Sequence, residues 1–273
     1  MMDRLTMEAL HVESLQVALA GKVCVDQLSF EVRAGELFAL IGPNGAGKST
    51  ALKALAQLLP HQGRVQLDSQ DLGRLAPHQR ARRLAYLSQG DQAAWPLQVR
   101  DFVALGRLPH QRRWGPRALS AADQQAVDAA LAAMHLTDMQ QRSLDQLSGG
   151  ERARARLARA LAVQAPLLLA DEPVAALDPF HQLSVMELLR AQCNAGQAVI
   201  VVLHDLTLAS RFCDRVLLLQ QGRAVACGAP RQVLTPAHLQ RVYQVQAMHG
   251  EHESQGYVVP WRCQPQAASS AAR

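Results

Sequence analysis

The sequence predicts an α/β fold in which helices cover both faces of a parallel β-sheet, an antiparallel β-layer flanks one side, and a helical subdomain interrupts the middle. Three observations predict it. The glycine-rich stretch Gly42-Pro43-Asn44-Gly45-Ala46-Gly47-Lys48-Ser49-Thr50 follows at once on the apolar run Leu37-Phe38-Ala39-Leu40-Ile41. Apolar runs of strand length then alternate with helically spaced segments across residues 150–203, the pattern of β-α-β units. Between these two regions, residues 89–145 show helical spacing only.

In chain order, Leu28, Phe30 and Val32 alternate with Ser29, Glu31 and Arg33, which predicts a half-buried strand. The run 37–41 reads as a buried strand and 49–59 as the helix after the loop; Val65 with Leu67 marks another piece of the β-layer, and 84–88 a further strand. From Val99 the spacing turns helical, with Phe102, Val103 and Gly106 on the same side. Ser120 followed by Asp123 reads as a helix start, and Val127, Leu131 and Met134 form the apolar face of that helix. After Gly150 come a helix, a strand over 167–170, a helix over 179–194 and the most apolar strand, 198–203. The expected organisation is one domain over 1–245, with the helical subdomain inserted at about 90–160. Residues 246–273 form an extension whose small, polar end from Gln264 is expected to be disordered. No internal repeat marks a second copy.

Composition bounds the function. With 49% hydrophobic and 19% charged residues the chain of 273 is an ordinary globular sequence. It has no run near the ~20 apolar residues that cross a bilayer, and its start, Met1-Met2-Asp3-Arg4, lacks a signal-peptide core, so a cytosolic location is expected. Cys24, Cys193, Cys213, Cys227 and Cys263 lack metal spacing and read as reduced thiols. The net charge of +5 is dispersed and aromatic residues are only 4%, so no nucleic-acid partner is expected.

The stretch 42–50 satisfies G-x-x-x-x-G-K-[ST], a phosphate-binding P-loop. Polyphosphate needs backbone N–H groups, a helix N-terminus and a cation within one turn. Gly42, Gly45 and Gly47 bring the backbone close, Lys48 reaches the β- and γ-oxygens, and Ser49 is a ligand for Mg²⁺. Asp171 ends an apolar strand beside the loop, where its carboxylate can orient Mg²⁺. Glu172, next in sequence, can polarise an attacking water. Ser148-Gly149-Gly150 heads a helix carrying Arg152, Arg154, Arg156 and Arg159, a second anion cradle; the arginines read as a solvated face.

Leu147-Ser148-Gly149-Gly150-Glu151 resembles the signature of ATP-binding cassette (ABC) proteins, and Leu167-Leu168-Leu169-Ala170-Asp171-Glu172 their Walker B strand. Gln89 stands at the family's Q-loop, Ala175-Ala176-Leu177-Asp178 at its D-loop and His204 at its switch histidine; the resemblance spans about residues 6–245. It implies a RecA-like P-loop NTPase core, ATP and Mg²⁺ as ligands, Glu172, His204 and Gln89 as catalytic residues, and Ser49, Gln89 and Asp171 around the metal. It also implies a two-fold homodimer, since in this family the signature of one subunit closes on the ATP held by the other. Two departures stand out. Alignment with the family through Leu28-Ser29-Phe30 puts Leu19 at the position of the usual adenine-stacking ring, with no aromatic residue anywhere before Phe30, and Ala175 stands where serine is frequent.

The segment Val103-Ala104-Leu105-Gly106-Arg107-Leu108-Pro109-His110, with His204-Asp205-Leu206-Thr207-Leu208-Ala209 and Val233-Leu234-Thr235-Pro236, resembles importer cassettes of the iron-siderophore, cobalamin and haem group, and Val242-Tyr243-Gln244-Val245 with Gly256-Tyr257-Val258-Val259-Pro260 resembles the haem importers most closely. That resemblance implies two membrane-spanning permease subunits, a periplasmic substrate-binding protein reached through them, and a peripheral position on the cytoplasmic face of the inner membrane. Trp95, Pro96 and Leu97 are the candidate coupling surface, with a core role for Trp95 the equal alternative, and His249 and His252 are read as exposed tail residues rather than haem ligands. Long coiled-coil arms or tandem cassettes, which would mark an ABC ATPase acting on DNA or ribosomes, are missing, and so is a guanine-specific N-K-x-D.

Overall fold

A computed structural model describes residues 9–89, 96–111, 119–175 and 177–264. Trp95, Ala176 and the tail beyond Gln264 lie outside the described residues. The chain opens with the hairpin β1 (Ala9–Leu19) and β2 (Lys22–Arg33), closed by Ala20 and Gly21, both at positive φ. There follow β3 (Leu37–Ile41), α1 (Lys48–Leu55), β4 (Gln62–Leu67), β5 (Gln70–Asp71), α2 (Pro77–Arg83) and β6 (Leu84–Leu87). The antiparallel layer has the order β2-β1-β4-β5. Its Phe30 ring stacks on Phe38 of β3, with centroids 5.3 Å apart and planes 6° from parallel.

Next come α3 (Val99–Ala104), a 3-10 turn over Leu105–His110, α4 (Ala121–Ala133) and α5 (Gly149–Ala162). These helices pack on one another: Val99, Phe102, Val103, Val127, Ala130, Leu131, Ala155, Leu157 and Ala158 share one core. Ser120 caps α4 by accepting from the Asp123 N–H, as its sequence position predicts. Pro96 is exposed, while Leu97 packs against this core and its carbonyl accepts from Leu144 N at 2.9 Å.

The chain returns to the main sheet through β7 (Leu167–Asp171), α6 (Pro179–Asn194), β8 (Ala198–Val202), α7 (Leu206–Phe212), β9 (Arg215–Gln220) and β10 (Arg223–Gly228). The sheet order is β10-β9-β3-β8-β7-β6; β10 alone runs antiparallel. Every residue of β3, β7 and β8 is buried. Alternate residues fall to opposite faces: Leu37, Ala39 and Ile41 into the core shared with the helices, Phe38 and Leu40 into the core beneath the antiparallel layer. β8 lies between the P-loop strand β3 and β7, so Asp171 reaches the loop across one intervening strand instead of from its neighbour.

Beyond α8 (Pro230–Val233) and α9 (Pro236–Tyr243), the extension carries elements where the sequence reading assigned none. β11 (Val245–His252) and β12 (Gln255–Cys263) form a hairpin. Its two turn residues, Glu253 and Ser254, both take positive φ, the geometry of a type I′ turn. Val258 is buried against the helical side of the sheet, Thr207 Oγ1 donates to its carbonyl at 2.8 Å, and Gln264 N donates to Gln244 O at 2.7 Å. His249 is not free in this arrangement, since Nε2 donates to Leu234 O at 2.7 Å. All five cysteines are free thiols, with Cys193 and Cys213 buried in the core and Cys227 and Cys263 exposed.

Candidate active site

The carboxyl end of β3 turns sharply through Gly42 into the loop that opens α1. Gly42, Gly45 and Gly47 have φ of 149°, 78° and 96°. A Cβ at Gly47 would lie 2.4 Å from the Cys24 carbonyl oxygen, so this position needs glycine for space as well as for torsion. Gly47 is the N-cap of α1 and supplies no side-chain cap, and the first turn of the helix carries no acidic residue. Its leading N–H groups therefore face outward as an anion site. Pro43, Asn44, Ala46 and Thr50 complete the loop, with Ala46 buried and its carbonyl accepting from Gly222 N at 3.0 Å.

Lys48 is 5% exposed, and its Nζ donates to the carbonyls of Gly42 at 2.7 Å and Pro43 at 3.0 Å. Burial pushes its ammonium below the usual lysine range, and the carboxylates of Glu172 and Asp171 pull it back up. Both carbonyl contacts are ones a phosphate oxygen could replace.

Ser49 Oγ donates to Asp171 Oδ1 at 2.8 Å. Asp171 is 1% exposed and its second oxygen, Oδ2, is buried with no hydrogen-bond partner. Burial raises its carboxyl above the usual range, opposed by the Ser49 hydroxyl and reinforced by the charge of Glu172. An orphaned buried carboxylate oxygen beside a serine hydroxyl is a donor set suited to a hard divalent cation.

Glu172 has a φ of 52°, a left-handed conformation that aims its side chain away from the line of β7. Gln89 Nε2 donates to Glu172 Oε2 and His204 Nε2 to Glu172 Oε1, each at 2.6 Å. Residues 83 and 32 positions away in sequence thus meet on one carboxylate. A cavity of about 210 Å³ adjoins it, lined by Ser88, Gln89, Arg156, Asp171, Glu172 and Ala175. Arg156 is a neighbour that the sequence reading placed on a solvated helix face.

The signature residues form a separate cluster at the head of α5. Ser148 accepts from Glu151 N at 3.2 Å while Glu151 Oε2 accepts from Ser148 N at 2.7 Å, a complete capping box. These bonds to Ser148 hold the Glu151 carboxyl below its usual range. Leu147 is buried beneath. A Cβ at Gly149 would meet nothing within 4 Å. The chain's own packing therefore does not demand glycine there. Of the D-loop, Ala175 is exposed, Leu177 is buried facing Gly150, and Asp178 caps α6 by accepting from His181 N at 2.9 Å.

Sequence reasoning missed Gly222. At a φ of 81°, a Cβ there would sit 2.7 Å from Cys24 O; its carbonyl accepts from Asp26 N of β2 at 2.9 Å and its N–H donates to Ala46 O at 3.0 Å, so it ties the β9–β10 turn to both β2 and the P-loop. The Gln221-Gly222 pair was a legible turn signal. Leu19, at the end of β1, is 37% exposed.

Comparison with known proteins identifies the family. A sequence model described as ABC transporter matches residues 25–175. The chain is 43% identical over 254 residues to the Hemin import ATP-binding protein HmuV of Pseudomonas fluorescens, covering 91% of this chain and 97% of that protein. It is 49% identical over 221 residues to the protein of the same name from Nocardia farcinica, covering 81% and 75%. Among solved structures, an inward-facing metal-chelate type ABC transporter superposes with a TM-score of 0.79 at 26% identity, over 93% of this chain and 98% of that one. An ATP-binding cassette captured as a dimer in a post-hydrolysis state with ADP and Pi gives 0.71 at 26% identity, over 81% and 99%.

Proposed function

This chain belongs to the ABC transporter family of ATP-binding proteins, and from that premise we propose that it is the ATPase subunit of an importer carrying haem across a bacterial inner membrane. The observation that carries the ATPase reading is the convergence of Gln89 and His204 on Glu172 at 2.6 Å, beside the P-loop. The cargo reading rests on the relatives, which are named Hemin import ATP-binding protein.

In this reading the N–H groups at the head of α1 and the ammonium of Lys48 take the β- and γ-phosphates. Ser49 and Asp171, with Gln89, hold Mg²⁺, which supplies Lewis-acid stabilisation of the phosphate charge when bound. Glu172 accepts the proton of the attacking water, and His204 keeps that carboxylate turned toward the γ-phosphate. Leu19 offers the adenine apolar contact in place of stacking.

The signature Ser148-Gly149-Gly150 serves the ATP of a second copy. The open space at Gly149 supports that role, because a glycine unneeded within its own chain leaves the backbone free for an approaching phosphate. Two copies would sandwich two ATP molecules, and the helical lobe would pass closure to two permease subunits, with a periplasmic binding protein delivering cargo. No described helix is long and apolar enough to cross a membrane. As the ATPase subunit of such an importer, the chain would sit peripherally on the cytoplasmic face.

The test is reconstitution with a haem-importer permease, in vesicles loaded with Mg-ATP. Haem accumulation that stops in Glu172→Gln supports the reading. Accumulation of cobalamin or a ferric siderophore instead of haem overturns the cargo, and recovery of DNA or ribosomes in place of a permease overturns the class.

A further inference from the structure

The segment Leu105–His110 was singled out by resemblance alone, and nothing in the nucleotide chemistry uses it. Its packing gives it a physical task at the far end of the signature helix. Arg107 is 5% exposed; its Nε donates to Asp123 Oδ1 at 2.8 Å. Its Nη1 donates to Ala162 O at 2.7 Å, with Val163 O at 3.3 Å and Gln164 Oε1 at 3.2 Å. Ala162 is the last residue of α5, so the guanidinium caps the negative end of that helix and satisfies carbonyls that have no partner within it.

Three neighbours reinforce the cap. A Cβ at Gly106 would lie 2.3 Å from Arg159 O, so glycine lets the strap lie directly against the α5 backbone. His110 Nε2 donates to Val163 O at 2.8 Å. On the other side, Arg82 at the end of α2 donates from Nε to Pro109 O at 2.6 Å, which anchors the strap to the segment leading into β6. Asp123 is in turn held by Ser120 Oγ, which donates to Oδ2 at 2.6 Å.

We propose that Arg107 is a positioning residue for ATP-driven pairing: with Asp123 it fixes the C-terminal end of α5 so that Ser148-Gly149-Gly150, at the other end, meets the ATP of a second copy. This rests on the two-fold reading above. The lever is simple. Fourteen residues make a rod about 21 Å long. A tilt of roughly 5° at the capped end then moves the signature by about 2 Å, where misplacement of 1 Å can cost about 10²-fold in rate. Lysine could not substitute fully, because one ammonium cannot span a carboxylate and the helix-end carbonyls in the fixed geometry of a guanidinium.

The experiment uses full-length chain in the Glu172→Gln background, with Mg-ATP as the only ligand, at a temperature where circular dichroism shows each variant folded. Arg107→Met should leave the affinity of the single chain for ATP within about twofold, yet weaken ATP-dependent dimerisation, read by sedimentation, by more than about tenfold. Turnover in the otherwise unaltered chain should fall in parallel, and Arg107→Lys should recover part of both. If Arg107→Met does not fold, Asp123→Asn, which keeps shape and removes the charge, is expected to show the same split. Dimerisation and turnover equal to the parent's would overturn the proposal, as would an equal loss of ATP affinity and pairing, the mark of a merely stabilising contact. A Glu172→Gln parent that binds ATP but stays monomeric would overturn the two-fold reading, and this inference with it.

Discussion

Replacing Glu172 by glutamine separates chemistry from binding at this site. The carboxylate accepts two hydrogen bonds at 2.6 Å, from Gln89 Nε2 and His204 Nε2. Glutamine keeps one acceptor oxygen for His204, and its amide would face Gln89 donor to donor until Gln89 turns its own amide over. Bonds to a charged acceptor exceed neutral ones by about 1 kcal/mol each, so the fold should lose about 1–2 kcal/mol and survive. The left-handed φ of 52° is unchanged because the Cβ is unchanged. What disappears is proton acceptance from water, worth about 10²–10⁴ in rate, or about 2.7–5.4 kcal/mol of barrier. Phosphate release from Mg-ATP under single-turnover conditions, beside ATP affinity by calorimetry, should show turnover down by at least about a hundredfold with affinity within about twofold. Turnover within about tenfold of the parent would refute Glu172 as the base.

Lys48→Ala removes an ammonium that makes two charge-assisted bonds; at about 1.5–3 kcal/mol each when offered to phosphate, ATP affinity by calorimetry should fall at least about a hundredfold. Gly47→Ala places a methyl 2.4 Å from Cys24 O at a φ of 96°; strain of about 1–3 kcal/mol should lower the melting temperature by several degrees and weaken ATP binding, whereas an unchanged melt and affinity would contradict the packing. Burial opposes the Asp123 charge, but the Ser120 hydroxyl and Arg107 outweigh it and hold the carboxyl below 3.8. Because the folded value is the lower one, the unfolded chain takes up the proton first as pH falls. The stabilisation is complete above pH 3.8 and lost as acid titrates the folded carboxyl, so Asp123→Asn should flatten acid unfolding measured by fluorescence below that pH.

Much of the fold was legible because its signals are local. The strand Leu37–Ile41 and the helix Pro179–Asn194 have the predicted bounds, since unbroken apolar runs and a Pro at the first helical turn leave little alternative. The helix after the P-loop ends at Leu55, short of the expected residue 59, because Gln57 turns to a φ of 60°. The C-terminal hairpin escaped notice because its strands bury almost nothing, so apolar alternation is weak, and its turn lacks Asn or Gly. At the site, the P-loop, Asp171 and Glu172 could be named from spacing alone. Gly222 and Arg107 could not, since their importance arises from carbonyls of Cys24 and Ala162 that are remote in sequence.

By itself the sequence determined the class of fold, the triphosphate loop and the family, because backbone torsion, charge and apolar period are properties of neighbouring residues. Only the tertiary structure decided that β8 separates Asp171's strand from the loop it serves, that Gln89 and His204 both close on Glu172, and that a buried arginine caps the helix whose other end carries the signature. Those are contacts between distant segments, and their geometry exists only once the sheet has set its strand order and the helices have packed upon it.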